Sequence, residues 1–287
     1  TYGGNTDNKY TQQYGKQQGK YYVPQRASAG LDPWATPQAY DNAKDFFDTG
    51  ITWSNSLNVA QMLEKSSYSI SLGNTHQDGI ISSTGMDRYN VKVSADTKLT
   101  SNWSSGFTAN YITTSIDKAV TSGNGLLRTV YAAPPSYDLA GIPSHVDGNP
   151  YTQNSFRGSF DNAYWAMENN KFTEDTNRFF GNVYTSYQTD FGTTNHKLNA
   201  KYMVGVDAYT THYVDSYGYG SNTGGGRGQI ENYGWTNATY NSLLTINYDW
   251  HINEDWGLNA VVGNEIIQSN RKKYYEYGTN YNFPGWN

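Results

Sequence analysis

Eight runs of this chain alternate apolar and polar side chains residue by residue, and the connections between them are short and long in turn. Period two is the mark of strands with one apolar and one polar face. In "TGITWSNSLNVAQ" (49–61) Ile51, Trp53, Leu57 and Val59 share a side, opposite Thr52, Ser54, Ser56 and Asn58. Tyr68, Ile70 and Leu72 alternate with serines; Tyr89, Val91, Val93 and Ala95 oppose Asn90, Lys92, Ser94 and Asp96; Phe107, Ala109 and Tyr111 repeat the theme. Further runs follow at 178–191, 196–214, 236–252 and 256–267.

The connections say how such strands are arranged. Short ones fall at 62–66, 99–105, 190–196 and 251–257, and longer, irregular ones at 76–87, about 115–174, and 215–233. Short turns at one end and long loops at the other is the up-and-down pattern of outer-membrane barrels. A β-sandwich with Greek-key crossovers has no reason to sort its loops this way. The faces agree: Ala, Val, Leu, Ile and Tyr suit hydrocarbon, whereas Asn, Ser, Thr, Lys, Asp and Gln suit a wet lumen. Trp53, Trp103, Tyr187, Phe191, Trp250 and Trp256 lie near strand ends, where an interfacial girdle belongs. Aromatics also simply favour strands, so the girdle is an expectation beside that plainer one.

Composition narrows the field further. Only 36% of residues are hydrophobic, the mean hydropathy is −0.77, and 27 tyrosines lift the aromatic share to 16%. That is a poor recipe for a thick aliphatic core, yet too aromatic for a disordered chain. The formal net charge of −5 argues against a nucleic-acid partner. Cysteine is absent, which excludes disulfides, thiolate metal sites and cysteine nucleophiles. No apolar run approaches the ~18 residues of a membrane helix, so any crossing would be made by strands. The first residue is Thr1, with no signal-peptide pattern behind it, and a mature, trimmed or excised segment is expected. Residues 1–48 read as an extracellular-type loop leading into strands that occupy 49–287, with a long loop at about 115–174.

Catalytic chemistry finds little support. His76, His145, His196, His212 and His251 show no ligand spacing, so no metal is expected. "GYGSNTGGGRG" lacks the Gly-Lys-Ser/Thr ending of a phosphate loop and reads as a hairpin tip. Asp207 and Glu265 stand on strands at unknown separation, which cannot argue a glycosidase pair. The expectation is a non-enzyme without cofactors.

Order and spacing of short motifs then carry a resemblance. Phe47 to Gly50 (Phe-x-x-Gly), Tyr68 to Gly73 (a Tyr strand ending Ser-Leu-Gly), Gln77 to Ile80 (Gln-x-Gly-Ile), Arg88-Tyr89 and Lys98-Leu99 follow in register, and a second block spans 162–187. From about 41 to 190 the chain resembles the early barrel strands of SusC/RagA-like TonB-dependent transporters of the bacterial outer membrane; Ala163 stands where that family usually has proline. Beyond 190 only the barrel pattern supports the match.

The resemblance implies a segment of a large antiparallel transmembrane β-barrel, without plug or TonB box. Plugged transporters carry about 22 strands, so the rest of the barrel and the plug are expected partners. A SusD-like lipoprotein, TonB and the lipid bilayer complete the set. The implied activity is import of oligosaccharides or peptides. Arg128, Tyr131, Tyr137, Arg157 and Trp165 in the long loop, with Tyr217 and Tyr219 beside the glycine hairpin, are candidate contacts for substrate or partner; for each, packing within the loop layer is the plainer expectation. Two alternatives stand: a soluble or surface-anchored β-sandwich that binds glycans, and a scaffold barrel that imports nothing.

Overall fold

The structure, a computed structural model, describes residues 13–15, 17–120, 125–192, 195–223 and 225–285. Residues 1–12 of the Gly/Gln/Tyr stretch lie outside them, as do 121–124 of the long loop and 224 of the glycine hairpin. Eight long strands form one antiparallel sheet: β3 (Thr52–Met62), β4 (Ser66–Asp78), β5 (Gly85–Lys98), β6 (Trp103–Asp117), β9 (Lys171–Thr189), β10 (His196–Tyr217), β11 (Gln229–His251) and β12 (Gly257–Thr279). They lie side by side in chain order, interrupted only by the insertion between β6 and β9. Each pair keeps one register from end to end. Among the described residues β3 and β12 pair on one side only.

Register carries the alternation across the sheet. Leu57, Leu72, Val91, Tyr111 and Phe179 form one transverse row, and Val59, Ile70, Val93, Ala109, Gly181 and Val206 the next. Gly181 is required there by close approach: a Cβ would sit 2.3 Å from the Thr108 carbonyl oxygen, which is backbone and cannot yield.

The burial pattern of the strands is inverted from that of a soluble protein. Ile70, Val91 and Val183 are 45%, 40% and 52% exposed, whereas the smaller Ser69 and Ser71 on either side of Ile70 are partly shielded. Among the described residues, no apolar side chain of the eight strands is buried. No second sheet covers the apolar face among the described residues. The sandwich alternative is thereby corrected: it needs the apolar face packed against a partner sheet, and here the large apolar side chains of that face lie exposed.

Connections sort by end, as the spacing required. At one end lie 63–65, 99–102, 190–195 and 252–256; at the other lie 79–84, 118–170 and 218–228. The three longer loops are shorter than the sequence suggested, 215–233 contracting to 218–228. The polar patch 76–87 contracts to 79–84, because β4 and β5 stay paired as far as Asp78 and Gly85. The 115–174 loop contracts to 118–170 for the same reason, the ladder of β6 and β9 reaching Asp117 and Thr173.

At the long-loop end the chain builds a folded layer. It contains β1 (Tyr21–Tyr22), β2 (Trp34–Ala35), β7 (His145–Val146), β8 (Asn149–Gln153), and four short helices: α1 (Pro24–Ser28), α2 (Asn42–Phe46), α3 (Leu126–Ala132) and α4 (Ala163–Asn169). Asp41 caps α2 by accepting from the Lys44 N–H at 3.1 Å, and Asn162 caps α4 by accepting from Tyr164 and Trp165. Their apolar faces meet in one core of Tyr21, Val23, Phe46, Val130, Leu139 and Trp165, with others around them. The described part of residues 1–48 therefore does more than lead into the sheet: from Tyr21 onward it packs against the long insertion.

Candidate functional site

Two surfaces can meet a ligand: the polar concave face of the sheet, and the layer at its long-loop end. On the concave face Lys92, Asn110, Phe180, Asp207 and Thr239 make one transverse row. Together with Asn182 and Asn241 they line a groove of about 570 Å³ at mid-height. Gly205 sits in the groove floor, where a Cβ would collide with the Asn241 amide at 2.1 Å. Beside it the Arg178 guanidinium grips Asp207 in two-pronged fashion, donating Nε at 2.8 Å and Nη2 at 2.6 Å. The same guanidinium lies over the rings of Phe180 and Tyr209.

Higher on this face the side chains turn aromatic. Tyr213 and Tyr233 stack at 4.9 Å with planes 6° apart. Neighbouring strands are about 4.8 Å apart, so such rings stand edge-on above this face and offer hydroxyls rather than faces. The Tyr233 hydroxyl donates to Asp215 at 3.0 Å. Lys118 caps the Tyr213 ring at 4.4 Å and pairs with Glu174 at 3.5 Å, fixing the start of the long insertion to the wall.

The mouth layer holds most of the residues singled out from sequence. Arg128 and Arg157 converge on one ring, lying 4.1 and 5.1 Å from the centroid of Phe160. Tyr131 points outward, 68% exposed, beside Phe47. Tyr137 and Trp165 sit in the core, and the Trp165 indole donates to the Pro150 carbonyl at 2.8 Å. In this conformation those two shape the layer rather than line its surface. Tyr217 packs edge-on against Phe172 at 5.1 Å, and Tyr219 is half-buried on the hairpin. The structure thus brings Arg128 and Arg157 together, and sets Tyr217 against Phe172 instead.

Sequence reading missed Asp161, the hub of the layer. Its carboxyl accepts from Ser221 Oγ at 2.6 Å, and from Gln153 Nε2, the Asn222 backbone N–H and Asn222 Nδ2, each at 2.7 Å. Thr129 Oγ1 donates to its backbone carbonyl at 2.6 Å. A lone aspartate in a loop carries no motif, so nothing in the chain pointed to it. The glycine hairpin is drawn onto the layer at the same place: Gly220, with φ +104°, comes so close to the Tyr151 carbonyl that a Cβ would lie 2.2 Å away.

Within the layer the phenols of Tyr21 and Tyr164 are among those shifted upward. Burial raises Tyr21, with Tyr40 adding to it, and burial likewise raises Tyr164, with Asp45 adding. The Tyr21 hydroxyl donates to the Ser136 carbonyl at 2.6 Å. Between the layer and the tops of β6 and β9 lies a cleft of about 470 Å³, walled by Asp117, Lys118, Leu126, Glu168, Lys171 and Phe172 among others. Among the described residues no group of three or more His, Asp or Glu side chains could hold a metal ion.

No protein-family model matches the sequence, and neither does any curated protein. Among solved structures the chain is similar to the RagAB peptide importer in its closed-closed state, with a TM-score of 0.67 and 16% identity over 85% of this chain and 27% of that one. The open-open state of the same importer gives 0.67, 15%, 85% and 27%. At this identity the likeness establishes the barrel-type fold. The chain spans little more than a quarter of the length of those structures.

Proposed function

We propose that this chain is part of the wall and mouth of a bacterial outer-membrane transporter of the SusC/RagA type. It carries peptides or oligosaccharides inward rather than catalysing a reaction on them. The observation that supports this most is the inverted sheet: the apolar rows are convex and exposed while the polar rows enclose a groove. In water, exposing rows of Leu, Ile, Val and Phe costs on the order of 25 cal/mol per Å². In hydrocarbon that cost vanishes, and the polar face is left to line a wet passage.

In this reading the apolar rows contact the bilayer, and the concave face guides the substrate. The mouth layer, including Arg128, Tyr131, Arg157, Tyr217 and Tyr219, meets a SusD-like surface lipoprotein or the substrate it delivers. The remaining strands close the wall around a plug domain, on which TonB acts. No cofactor takes part. A likeness in fold to an importer named for peptides favours peptides as the first substrates to try.

The test is uptake by whole cells. Cells lacking the protein should lose uptake of at least one labelled oligopeptide or oligosaccharide that wild-type cells take up, and a surface lipoprotein should copurify with the protein from detergent-solubilised outer membranes. Unchanged uptake across the whole panel would favour the scaffold alternative instead.

A further inference from the structure

The concave wall carries a charge belt that the net charge of −5 conceals. Strand register assigns each row. Arg88 and Lys273 share one row, with Thr75, Thr114, Thr176, Thr211 and Trp235 between and beside them. The next row toward the short turns holds Arg178 and Arg271, and the one after holds Lys92 and Asp207. Three successive rows on one face thus hold five cations against one carboxylate, which is occupied by Arg178. With two residues per row at about 3.4 Å each, the belt is about 14 Å tall.

Its boundaries are acidic. The rows above hold Glu174 and then Asp215 with Glu231, against the single cation Lys118 paired with Glu174; the second row below holds Asp96 and Glu265. The belt is therefore a zone of one sign and not the edge of a basic protein. Among the described residues, Arg88, Lys92, Arg271 and Lys273 make no salt bridge; Arg271 rests over the Trp235 ring at 4.9 Å. The buried indole N–H of Trp235 likewise finds no acceptor among them. Cations on this stretch of wall outnumber carboxylates, and the adjoining groove of about 570 Å³ leaves room beside them.

We infer that the belt selects oligomers bearing carboxylates, and that Arg88, Lys92, Arg271 and Lys273 are the specificity-determining residues of the passage. This rests on the transporter reading and sharpens its substrate class. A concave wall backed by low-dielectric lipid focuses the field of its charges, so anions are concentrated there before any specific contact forms. Carboxylates could come from acidic side chains of a peptide or from the uronic acids of a glycan; the belt reads the charge they share.

The experiment uses the native transporter purified with its lipoprotein and reconstituted in liposomes. Equilibrium binding is measured for an octaglutamate peptide, an oligogalacturonate, a Gly-Ser octapeptide and a neutral maltooligosaccharide. The acidic probes should bind about tenfold more tightly than their neutral counterparts at 50 mM salt, with the preference shrinking as salt rises. A preference for octaglutamate alone assigns the carboxylates to peptides, and one for oligogalacturonate alone assigns them to glycans. In the quadruple variant R88Q/K92Q/R271Q/K273Q the acidic probes should fall to the level of the neutral ones. A charge-keeping double variant, R88K/R271K, should retain the preference and guards against misfolding as the cause. Neutral and acidic probes binding alike in the wild type, or a preference that survives the quadruple variant, overturns the inference while leaving a transporter. Failure to insert into bilayers overturns the transporter reading itself and the inference with it.

Discussion

Ser221 donates its hydroxyl proton to Asp161 at 2.6 Å, and both side chains are buried. This contact joins the glycine hairpin between β10 and β11 to the insertion between β6 and β9, tying two loops distant in sequence into one layer. Asp161→Ala removes the acceptor of four donors at once. Each unsatisfied buried donor costs ~1–3 kcal/mol, and the hairpin is expected to detach. Limited proteolysis of the folded protein should then cut within 218–228 at least tenfold faster, while cleavage at the short turns stays unchanged; equal rates at the hairpin would show that Asp161 is not the fastener.

Trp165 and Tyr131 lie in the same layer yet should behave oppositely. Trp165 is wholly buried, so Trp165→Ala leaves a large cavity and should destabilise the layer by ~3–5 kcal/mol. Tyr131→Ala, at an exposed position, should change stability by less than ~0.5 kcal/mol. Denaturant titration followed by tryptophan fluorescence or layer-specific proteolysis reads both. If Tyr131→Ala proves the more damaging, the assignment of core and surface is wrong.

Much of the sheet was legible because period two is a direct image of a face, and because the sorted connections excluded a sandwich. The upper parts of β9 to β12 were less so. Above the apolar rows, segments such as Arg271–Thr279 place charges and tyrosines on both faces, so the alternation lapses there. Strand ends at Asp78 and Asp117 were misplaced for the same reason: polar pairs such as His76 with Asp87, at 2.8 Å, continue a ladder that apolar periodicity no longer marks. The mouth layer was hardest. Trp165 and Tyr137 were visible only as aromatics in a loop, and their burial depends on contacts with Phe46 and Tyr21 far away in the chain. Arg128 and Arg157 meet at Phe160, which sequence alone could not disclose.

The alkaline limit of the layer should trace to its buried phenols. Burial favours neutral Tyr21, so its folded value stands above the ordinary ~10. The stability this contributes is fully present below that ordinary value and is lost as pH rises through the folded one. Protease susceptibility of 126–166 should therefore rise steeply only above pH ~10. Tyr21→Phe should flatten that rise, at a cost of ~0.5–1.5 kcal/mol near neutrality for the lost bond to Ser136. An unchanged slope in the variant would assign the alkaline transition to other groups.

If the transporter reading holds, neighbouring residues on β9 separate lipid from lumen energetically. Val183→Arg places a charge in the middle of the apolar rows and should cost ~2–4 kcal/mol of folding stability in bilayers. Asn182→Arg, one residue away on the concave face, should cost within ~0.5 kcal/mol. Urea titration of folding into lipid vesicles measures both, and equal penalties would remove the distinction between the faces.

The most direct test of the account follows β5 residue by residue. Since this stretch of chain has no cysteine, single substitutions Tyr89→Cys through Ala95→Cys give labelling sites unique within it, with any cysteine elsewhere in the protein first replaced by serine. In the native protein held in lipid vesicles, fluorophores at positions 90, 92 and 94 should be quenched by a water-soluble agent. Those at 89, 91, 93 and 95 should be quenched only by agents dissolved in the acyl chains. Lipid quenching at the even positions, or shielding of the odd positions from both agents, would contradict a sheet whose apolar face meets the bilayer.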